Sequence, residues 1–311
     1  MTRASTRTQP ALEPMPEFKL KSPSPVSPRI VVHGGAGGWS THPDQLERAL
    51  VACERAARAG DAILRDGGSA LDAVEAAVRV LEDDPVLNAG VGSFRNVDGV
   101  VEMDAMIMDG GTLALGAVAI VRDLCNPVSL ARRVMTDTKH TLLAGEGASK
   151  FADSIGFPRC DTSTWPAREP RPNVSDTVGA VALDAAGNLA VAVSTGGIPR
   201  KMPGRVGDSP IAGAGGYADN TSAAVAATGD GEAFMKLLAS KRVADDVRSG
   251  TAVQQACADA LDEIYRRLEG TGGIIALDPQ GNLGVAFTTP AMPYAWSENG
   301  NIRTASTPFP A

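Results

Sequence analysis

The stretch "DTVGAVALDAAGNLAVAVSTGG", Asp176 to Gly197, contains two apolar runs separated by a short turn at residues 185–188. Small, flexible turn residues between two such runs predict a β-hairpin. In a regular hairpin the start of one arm lies beside the end of the other, so we expect Thr177 and Thr195 to be neighbours. Threonines at strand ends commonly serve only as hydrogen-bonding groups, so the pair by itself leaves a structural role open.

The same pattern returns near the C-terminus as "GGIIALDPQGNLGVAFTT", residues 272–289. Two matching hairpins predict the centres of two sheets, or neighbouring pairs within one sheet. Helical periodicity over Gly231 to Val243 and over Ala252 to Leu268 lies between them. Strands and helices therefore occur in blocks, which favours an α+β fold over a doubly wound parallel sheet.

The N-terminal half begins with a short β-branched run, Ile30 to Val32, that enters a glycine-rich loop. Two strand-like runs, "VVEMDAMIMDG" and "LALGAVAIVRD", occur further along. Helices are predicted at Asp44–Arg65, with Asp44 as its cap, at Ser69–Asp83, at Pro127–Thr136 and at Glu146–Ile155. Residues 1–28 are polar and Pro-rich and predict a disordered tail, and residues 29–311 predict a single domain that contains a linker at about 156–176.

Composition excludes several classes of protein. With 311 residues, 43% hydrophobic content and a net charge of −7, the chain should be globular, and its scattered Lys and Arg predict no nucleic-acid partner. The apolar runs are too short to span a membrane, so we expect a soluble protein with no membrane partner. The cysteines Cys53, Cys125, Cys160 and Cys257 are far apart, which predicts a reducing, cytoplasmic location and no structural zinc.

The hydroxyl of Thr177 would be a poor nucleophile unless a base removed its proton, and no histidine stands near it in the sequence. The alternative base is the α-amine of the threonine itself, with a pKa near 8, which requires Thr177 to become the first residue of a chain. The Pro-rich segment that ends at Asp176 offers a place for such a cut.

Several motifs then carry a resemblance: "VVHGGAG", "LEDDPVLNAGVGS", "EMDAMIMDG", the first hairpin, "PGRVGDSPIAGAGGYADN" and "ATGDGE". Together they resemble the plant-type asparaginase / isoaspartyl peptidase family of N-terminal-nucleophile (Ntn) hydrolases, over Ile30 to about Ile302. The resemblance implies a four-layer αββα sandwich of the Ntn-hydrolase type. It also implies a precursor that cuts itself between Asp176 and Thr177 into an α subunit, 29–176, and a β subunit, 177–311.

The resemblance also implies roles for individual residues. Thr177 corresponds to the nucleophile, and Thr195 to the second hydroxyl that supports it. Thr228 and the backbone N–H of Gly229 correspond to the oxyanion hole. The substrate-binding residues implied are Arg205 for the α-carboxylate, Asp208 and the carbonyl of Gly231 for the α-ammonium, and Asn88 at the active site. His33, in the glycine-rich loop, is expected to be structural rather than a general base.

The resemblance implies no organic cofactor but a structural sodium ion. Backbone carbonyl oxygens, which suit a hard cation, would hold it. The carbonyl donors implied are those of Leu81, Glu82, Asp84, Leu87, Ala89 and Val91. The resemblance further implies a homodimer of cleaved protomers.

The implied activity is hydrolysis of L-asparagine and of β-aspartyl (isoaspartyl) dipeptides. Two alternatives remain open. One is a glycosylasparaginase-like amidohydrolase, whose relatives are typically secretory, with disulfides that this sequence does not predict. The other is a non-catalytic member that keeps the fold as a scaffold. The Asp208 position argues against a threonine aspartase, since an internal substrate has no α-ammonium for that carboxylate to bind.

Overall fold

The computed structural model describes residues 27–167 and 176–309. Most of the predicted N-terminal tail, residues 1–26, and part of the predicted linker, residues 168–175, lie outside the described residues. Within them, the helices are α1 Pro43–Arg65, α2 Ala70–Glu82, α3 Pro127–Asp137, α4 Gly145–Ser154, α5 Gly231–Leu237, α6 Ala239–Arg248 and α7 Val253–Leu268. The strands are β1 Arg29–His33, β2 Met103–Asp109, β3 Leu115–Val121, β4 Leu142–Ala144, β5 Val178–Leu183, β6 Leu189–Thr195, β7 Gly216–Ala218, β8 Ala224–Gly229, β9 Gly272–Leu277, β10 Leu283–Phe287, β11 Tyr294–Glu298 and β12 Asn301–Ala305. The chain therefore has an α+β fold, as the block pattern predicts.

The strands form two sheets. An eight-stranded sheet has the order β12-β11-β1-β5-β6-β2-β3-β4, and a four-stranded sheet has the order β10-β9-β8-β7. The first hairpin, β5 and β6, lies at the centre of the large sheet, but the second, β9 and β10, reaches the edge of the small one. Of the two alternatives left open by the sequence, the structure therefore shows hairpins in different sheets, but only the first hairpin is central.

Side-chain alternation in the first hairpin determines what each face of the large sheet contacts. Ala182 and Ala192 face a core built with helices α1 to α4. Val181 and Val191 face the other way, into a core shared with the small sheet. Alanines on the helix face allow α2 to approach the sheet closely, because a Cβ is their only side-chain atom. Thr195 follows the same alternation as Val191, so its side chain lies at the end of the layer between the sheets.

The other face of the small sheet packs against the C-terminal helices. Val225 and Ile274 from β8 and β9 share a core with Val243 of α6 and Ile264 of α7. The small sheet thus shares one core with the large sheet and another with the helices α6 and α7.

Two local predictions differ from the structure. α1 begins at Pro43 and its cap is His42, so Asp44 lies in the first turn and does not cap it, since proline suits the first helical position. The predicted helix over Gly231 to Val243 is two helices, because Leu238 takes a left-handed conformation, φ 49°. The break lets Ser240 donate a hydrogen bond to the carbonyl of Ala214. Five further strands, β4, β7, β8, β11 and β12, were not predicted from the sequence.

The cysteine pattern is also misleading. Cys125 and Cys160 form a disulfide, while Cys53 and Cys257 are buried free thiols. The backbone N–H of Cys160 donates to the carbonyl of Asp123 at 3.2 Å, which brings the two distant segments together. The expectation of no disulfide is therefore wrong, and the cysteine spacing no longer supports a reducing compartment. Both bonded cysteines precede Asp176, so the disulfide would not join fragments cut after that residue.

Loss of this disulfide should destabilise the protein. It closes a loop with a sequence separation of 35, for which chain-entropy estimates give about 4 kcal/mol at most. We expect the double variant Cys125→Ser, Cys160→Ser to melt at a temperature lower by on the order of 10 °C, measured by circular dichroism. The unreduced, denatured wild type should titrate two thiols of four. Four free thiols, or an unchanged melting temperature in the variant, would contradict the assignment.

Candidate active site

The hydroxyl of Thr177 is the centre of a buried cluster of hydroxyl groups. Its Oγ1 donates to Thr195 Oγ1 at 3.2 Å and lies 3.3 Å from Ser209 Oγ. Thr177 is 5% exposed and Ser209 is fully buried. The side-chain hydrogen bonds of the Thr177 hydroxyl in the described part of the chain thus involve hydroxyls only. The hairpin prediction that Thr177 and Thr195 are neighbours is confirmed.

The peptide carbonyl of Asp176, which immediately precedes Thr177, is held by two donors. Asn88 donates its Nδ2 to this oxygen at 2.6 Å, and Thr195 donates its hydroxyl to it at 3.3 Å. Asn88 is itself fixed, since Nδ2 also donates to the carbonyl of Gly197 and Oδ1 accepts from the N–H of Phe94. Two preset donors on one carbonyl oxygen are the arrangement that stabilises negative charge developing there.

The backbone N–H of Thr177 donates to Thr228 Oγ1 at 3.1 Å, so Thr228 lies on the other side of the same residue. Thr228 and Gly229 end strand β8, and Thr228 follows the alternation of Ala224 and Ala226, which face the layer between the sheets. Gly229 has φ 146°, and a Cβ there would overlap the carbonyl of Thr271. Only glycine fits this position, because the conformation and the neighbouring backbone both exclude a side chain.

Arg205, Asp208 and Gly231 lie together, as the resemblance implies. A Cβ on Gly231 would be 2.7 Å from Asp208 Oδ1 and 3.1 Å from Arg205 Nη2. Burial raises the pKa of Asp208 to about 7. Since Ser209 follows Asp208 directly and contacts Thr177, this group adjoins the hydroxyl cluster.

Arg205 has a partner that the sequence did not predict. Its Nε and Nη2 donate to the two carboxylate oxygens of Glu232 at 3.0 and 2.7 Å. These hydrogen bonds hold the pKa of Glu232 below its usual value. The one available signal was the position of Glu232 beside Gly231 in "ATGDGE". A substrate carboxylate would have to share or displace this bidentate contact.

Ser209 is the second residue that sequence reasoning missed. It stands next to Asp208 in "GRVGDSP", but a serine in a motif carries no signal of which side chain it faces. Only the packing of residues 208–215 against β8 brings its hydroxyl to Thr177. The carbonyl of Asp208 accepts from the N–H groups of Ile211 and Gly215, and the carbonyl of Gly215 accepts from Ala227, the neighbour of Thr228.

His33 and the glycine-rich loop lie close to the cluster. His33 is paired in register with Gly179, and burial lowers its pKa to about 3, so the imidazole is neutral and a weak base at neutral pH. Gly35 and Gly37 pack against the side chain of Asp176, where added Cβ atoms would overlap it. The loop therefore encloses the residue that precedes the threonine.

The loop after α2 is tightly curled. The carbonyls of Glu82 and Leu87 face Gly90 and Gly92, where an added Cβ would overlap their oxygens. The carbonyls of Leu81, Asp84 and Ala89 accept backbone hydrogen bonds within the loop. Residues 27–167 and 176–309 contain no cluster of His, Cys, Asp and Glu side chains arranged for a metal, so a cation in this region would depend on carbonyl oxygens. None of the helices in these ranges is long and apolar enough to cross a membrane.

A buried hydroxyl, a carbonyl bound by two donors and neighbouring Arg205 and Asp208 side chains define the site of a hydrolase that uses a hydroxyl nucleophile. Comparison with known proteins agrees with this class. The sequence pattern of the family Asparaginase_2, described as asparaginase, matches residues 26–173 and 167–306, and the chain belongs to this family.

Named relatives are similar over most of their length. The isoaspartyl peptidase/L-asparaginase of Mus musculus is 46% identical over 296 residues, which cover 89% of this chain and 90% of that protein. The Homo sapiens protein of the same name is 42% identical and covers 89% and 95%. The isoaspartyl peptidase of Escherichia coli is 42% identical and covers 88% and 94%.

Proposed function

We propose that this chain hydrolyses L-asparagine to L-aspartate and ammonia, and cleaves β-aspartyl dipeptides at the isoaspartyl bond, after it has cut itself between Asp176 and Thr177. The observation that carries the proposal is the Asp176 carbonyl, bound by Asn88 and Thr195 directly before a threonine that has hydroxyl neighbours. The similarity to named isoaspartyl peptidases supports the substrates.

The self-cleavage step follows from this geometry. Thr177 Oγ1 forms a bond to the carbonyl carbon of Asp176, and the C–N bond to Thr177 breaks. The hydroxyl proton ends on the nitrogen, which becomes the α-amine. Charge that develops on the Asp176 oxygen is stabilised by Asn88 Nδ2 and the Thr195 hydroxyl. Water then hydrolyses the ester, leaving the carboxylate of Asp176 and a free Thr177.

In the cleaved enzyme the new α-amine takes the proton of Thr177 Oγ1 as the hydroxyl attacks the side-chain carbonyl of the substrate. The Thr228 hydroxyl and the Gly229 N–H donate hydrogen bonds to the oxyanion that forms on the substrate carbonyl. Arg205 binds the α-carboxylate, and Asp208 with the Gly231 carbonyl binds the α-ammonium, a division of charge that suits a free aspartyl end. Ammonia, or the amine of the second residue, leaves, and water releases aspartate.

Three further features belong to the proposal. The three cores, each between neighbouring layers, support the four-layer αββα arrangement of Ntn hydrolases.

The curled loop after α2 supports a sodium ion held by the carbonyls of residues 81–91, which would stiffen the loop that presents Asn88. Cleaved protomers would form a homodimer. Metal analysis of dialysed protein and light scattering test the last two, and a sodium-free or monomeric protein would refute them.

The activity is tested with three substrates on cleaved protein: L-asparagine, β-Asp-Leu and N-acetylglucosaminyl-asparagine. Aspartate release from the first two, with little from the third, is the expected result. Preferential release from the sugar conjugate would favour the glycosylasparaginase alternative, which can no longer be set aside for lack of a disulfide. A chain that stays whole and releases no aspartate would favour the scaffold alternative.

A further inference from the structure

We propose that Ser209 is a catalytic residue, which donates a hydrogen bond to the nucleophilic oxygen of Thr177 during self-cleavage and during substrate hydrolysis. The proposal rests on the proposed function. Ser209 is fully buried, and its Oγ lies 3.3 Å from Thr177 Oγ1.

The direction of this hydrogen bond follows from counting protons. The Asp176 carbonyl can only accept, so Thr195 donates its single hydroxyl proton to that oxygen. Thr195 Oγ1 can then only accept from Thr177, which donates its own proton there. The contact between Thr177 Oγ1 and Ser209 Oγ is therefore a hydrogen bond only if Ser209 is the donor.

A donor on Oγ1 has a definite chemical effect. Negative charge increases on this oxygen as its proton leaves and before the bond to carbon is complete, and a donor already in place stabilises that charge. The same bond helps Oγ1 leave when water cleaves the ester. It also holds the Thr177 side chain in one rotamer, between Thr195 on one side and Ser209 on the other.

The backbone around Ser209 is built to hold it in place. A Cβ on Gly215 would be 2.5 Å from the Ser209 Cα, so the two backbones are in direct contact. The carbonyl of Gly215 in turn accepts a hydrogen bond at 2.8 Å from the backbone N–H of Ala227, which lies in the same strand as Thr228. The donor to the nucleophile and the Thr228 hydroxyl thus share one rigid support.

The test is the Ser209→Ala variant of the full chain. A pulse of cell-free synthesis followed by a chase gives the rate of self-cleavage from the two fragments on a gel. We expect cleavage and kcat to fall up to about tenfold, which corresponds to about 1.4 kcal/mol, the upper end for a neutral hydrogen bond, with KM for asparagine changed less than about twofold. Self-cleavage needs no bound substrate, so its slowing cannot come from the neighbouring Asp208.

Two variants make the result specific. Ser209→Thr keeps the hydroxyl and should restore the rate of self-cleavage to within about threefold of wild type. Ser297→Ala removes another buried serine, whose hydroxyl accepts from the backbone N–H of Ile30, and should lower stability without slowing cleavage. If Ser209→Ala does not fold, as judged by circular dichroism, Ser209→Cys replaces it, because a thiol is a weak donor.

Equal cleavage and kcat in wild type and Ser209→Ala, or in the cysteine variant used instead, would overturn the role of Ser209. Slowing of the same size in Ser297→Ala would overturn it too, since loss of any buried serine would then have the same effect. A wild-type chain that neither cuts itself nor releases aspartate would instead refute the proposed function, so the two failures can be told apart.

Discussion

Thr177→Ala is expected to yield one uncut chain without hydrolase activity. Removing the hydroxyl takes away both the nucleophile that attacks the Asp176 carbonyl and the one that attacks substrate. Loss of a nucleophile costs at least about 10⁴-fold in kcat in comparable hydrolases. Wild type should give two bands of about 18 and 14 kDa on a denaturing gel, estimated from the fragment lengths and the mean residue mass. The reducing agent should not matter, because Cys125 and Cys160 lie in the same fragment.

The matched control is Thr177→Ser, which keeps a hydroxyl and loses only the methyl group. It should still cut and still release aspartate, at a reduced rate, because the methyl group helps to fix the rotamer. Two fragments from Thr177→Ala would contradict self-cleavage by this residue. Aspartate release by its uncut form would contradict the requirement for a new N-terminus.

Asp208→Asn is expected to lower kcat/KM for asparagine on the order of 10²- to 10³-fold, chiefly through KM. The substrate ammonium would lose its charged partner in a buried site, and truncating one member of such a pair costs about 2–5 kcal/mol. Steady-state kinetics on cleaved protein measure the change. Asp246→Asn, which removes an acid that pairs with Arg242 on α6, should leave kcat/KM unchanged.

The pH dependence separates binding from folding. Burial raises the pKa of Asp208 to about 7, so the carboxylate is lost as pH falls through 7 and KM should rise in wild type. In Asp208→Asn this pH dependence of KM should be absent.

Because the folded-state pKa of Asp208 lies above the usual value, ionisation of Asp208 destabilises the fold as pH increases toward 7. The asparagine variant should therefore be no less stable than wild type at pH 8. A wild-type KM that does not change with pH, or wild-type kinetics in the Asp208→Asn variant, would refute the role of Asp208.

Much of the local structure could be predicted from the sequence. Alternation and turn residues predicted β5 and β6 and the meeting of Thr177 with Thr195, because a hairpin is closed by residues close in the chain. Helical periodicity predicted α1, α2, α3 and α7 nearly to their ends. The motifs, read through the family they resemble, brought Arg205, Asp208 and Gly231 to one place.

Other structural features could not be predicted from residues that are close together in the sequence. The short strand β7 and the edge strand β12 have no strong period of their own, and β11 becomes a strand by pairing with β1, which lies far away in the chain. The break at Leu238 depends on bonds from α6 to residues 213 and 214 rather than on a helix-breaking residue. The cysteine spacing gave no sign of the Cys125–Cys160 bond, since pairing depends on which segments the fold brings together.

The sequence by itself therefore determined which residue is the candidate nucleophile, the hairpin that presents it and the family to which the chain belongs. The hairpin depends on periodicity, which reflects contacts between residues that are near in the sequence. The nucleophile and the family depend on motifs, in which particular residue types stand at a fixed spacing. Only the tertiary structure showed that Asn88 and Thr195 donate hydrogen bonds to the Asp176 carbonyl. It likewise showed that the Glu232 carboxylate binds the Arg205 guanidinium and that Ser209 contacts Thr177. The reason is physical: each of these contacts joins segments that are distant in the chain, and packing of the two sheets and their loops decides which side chains meet.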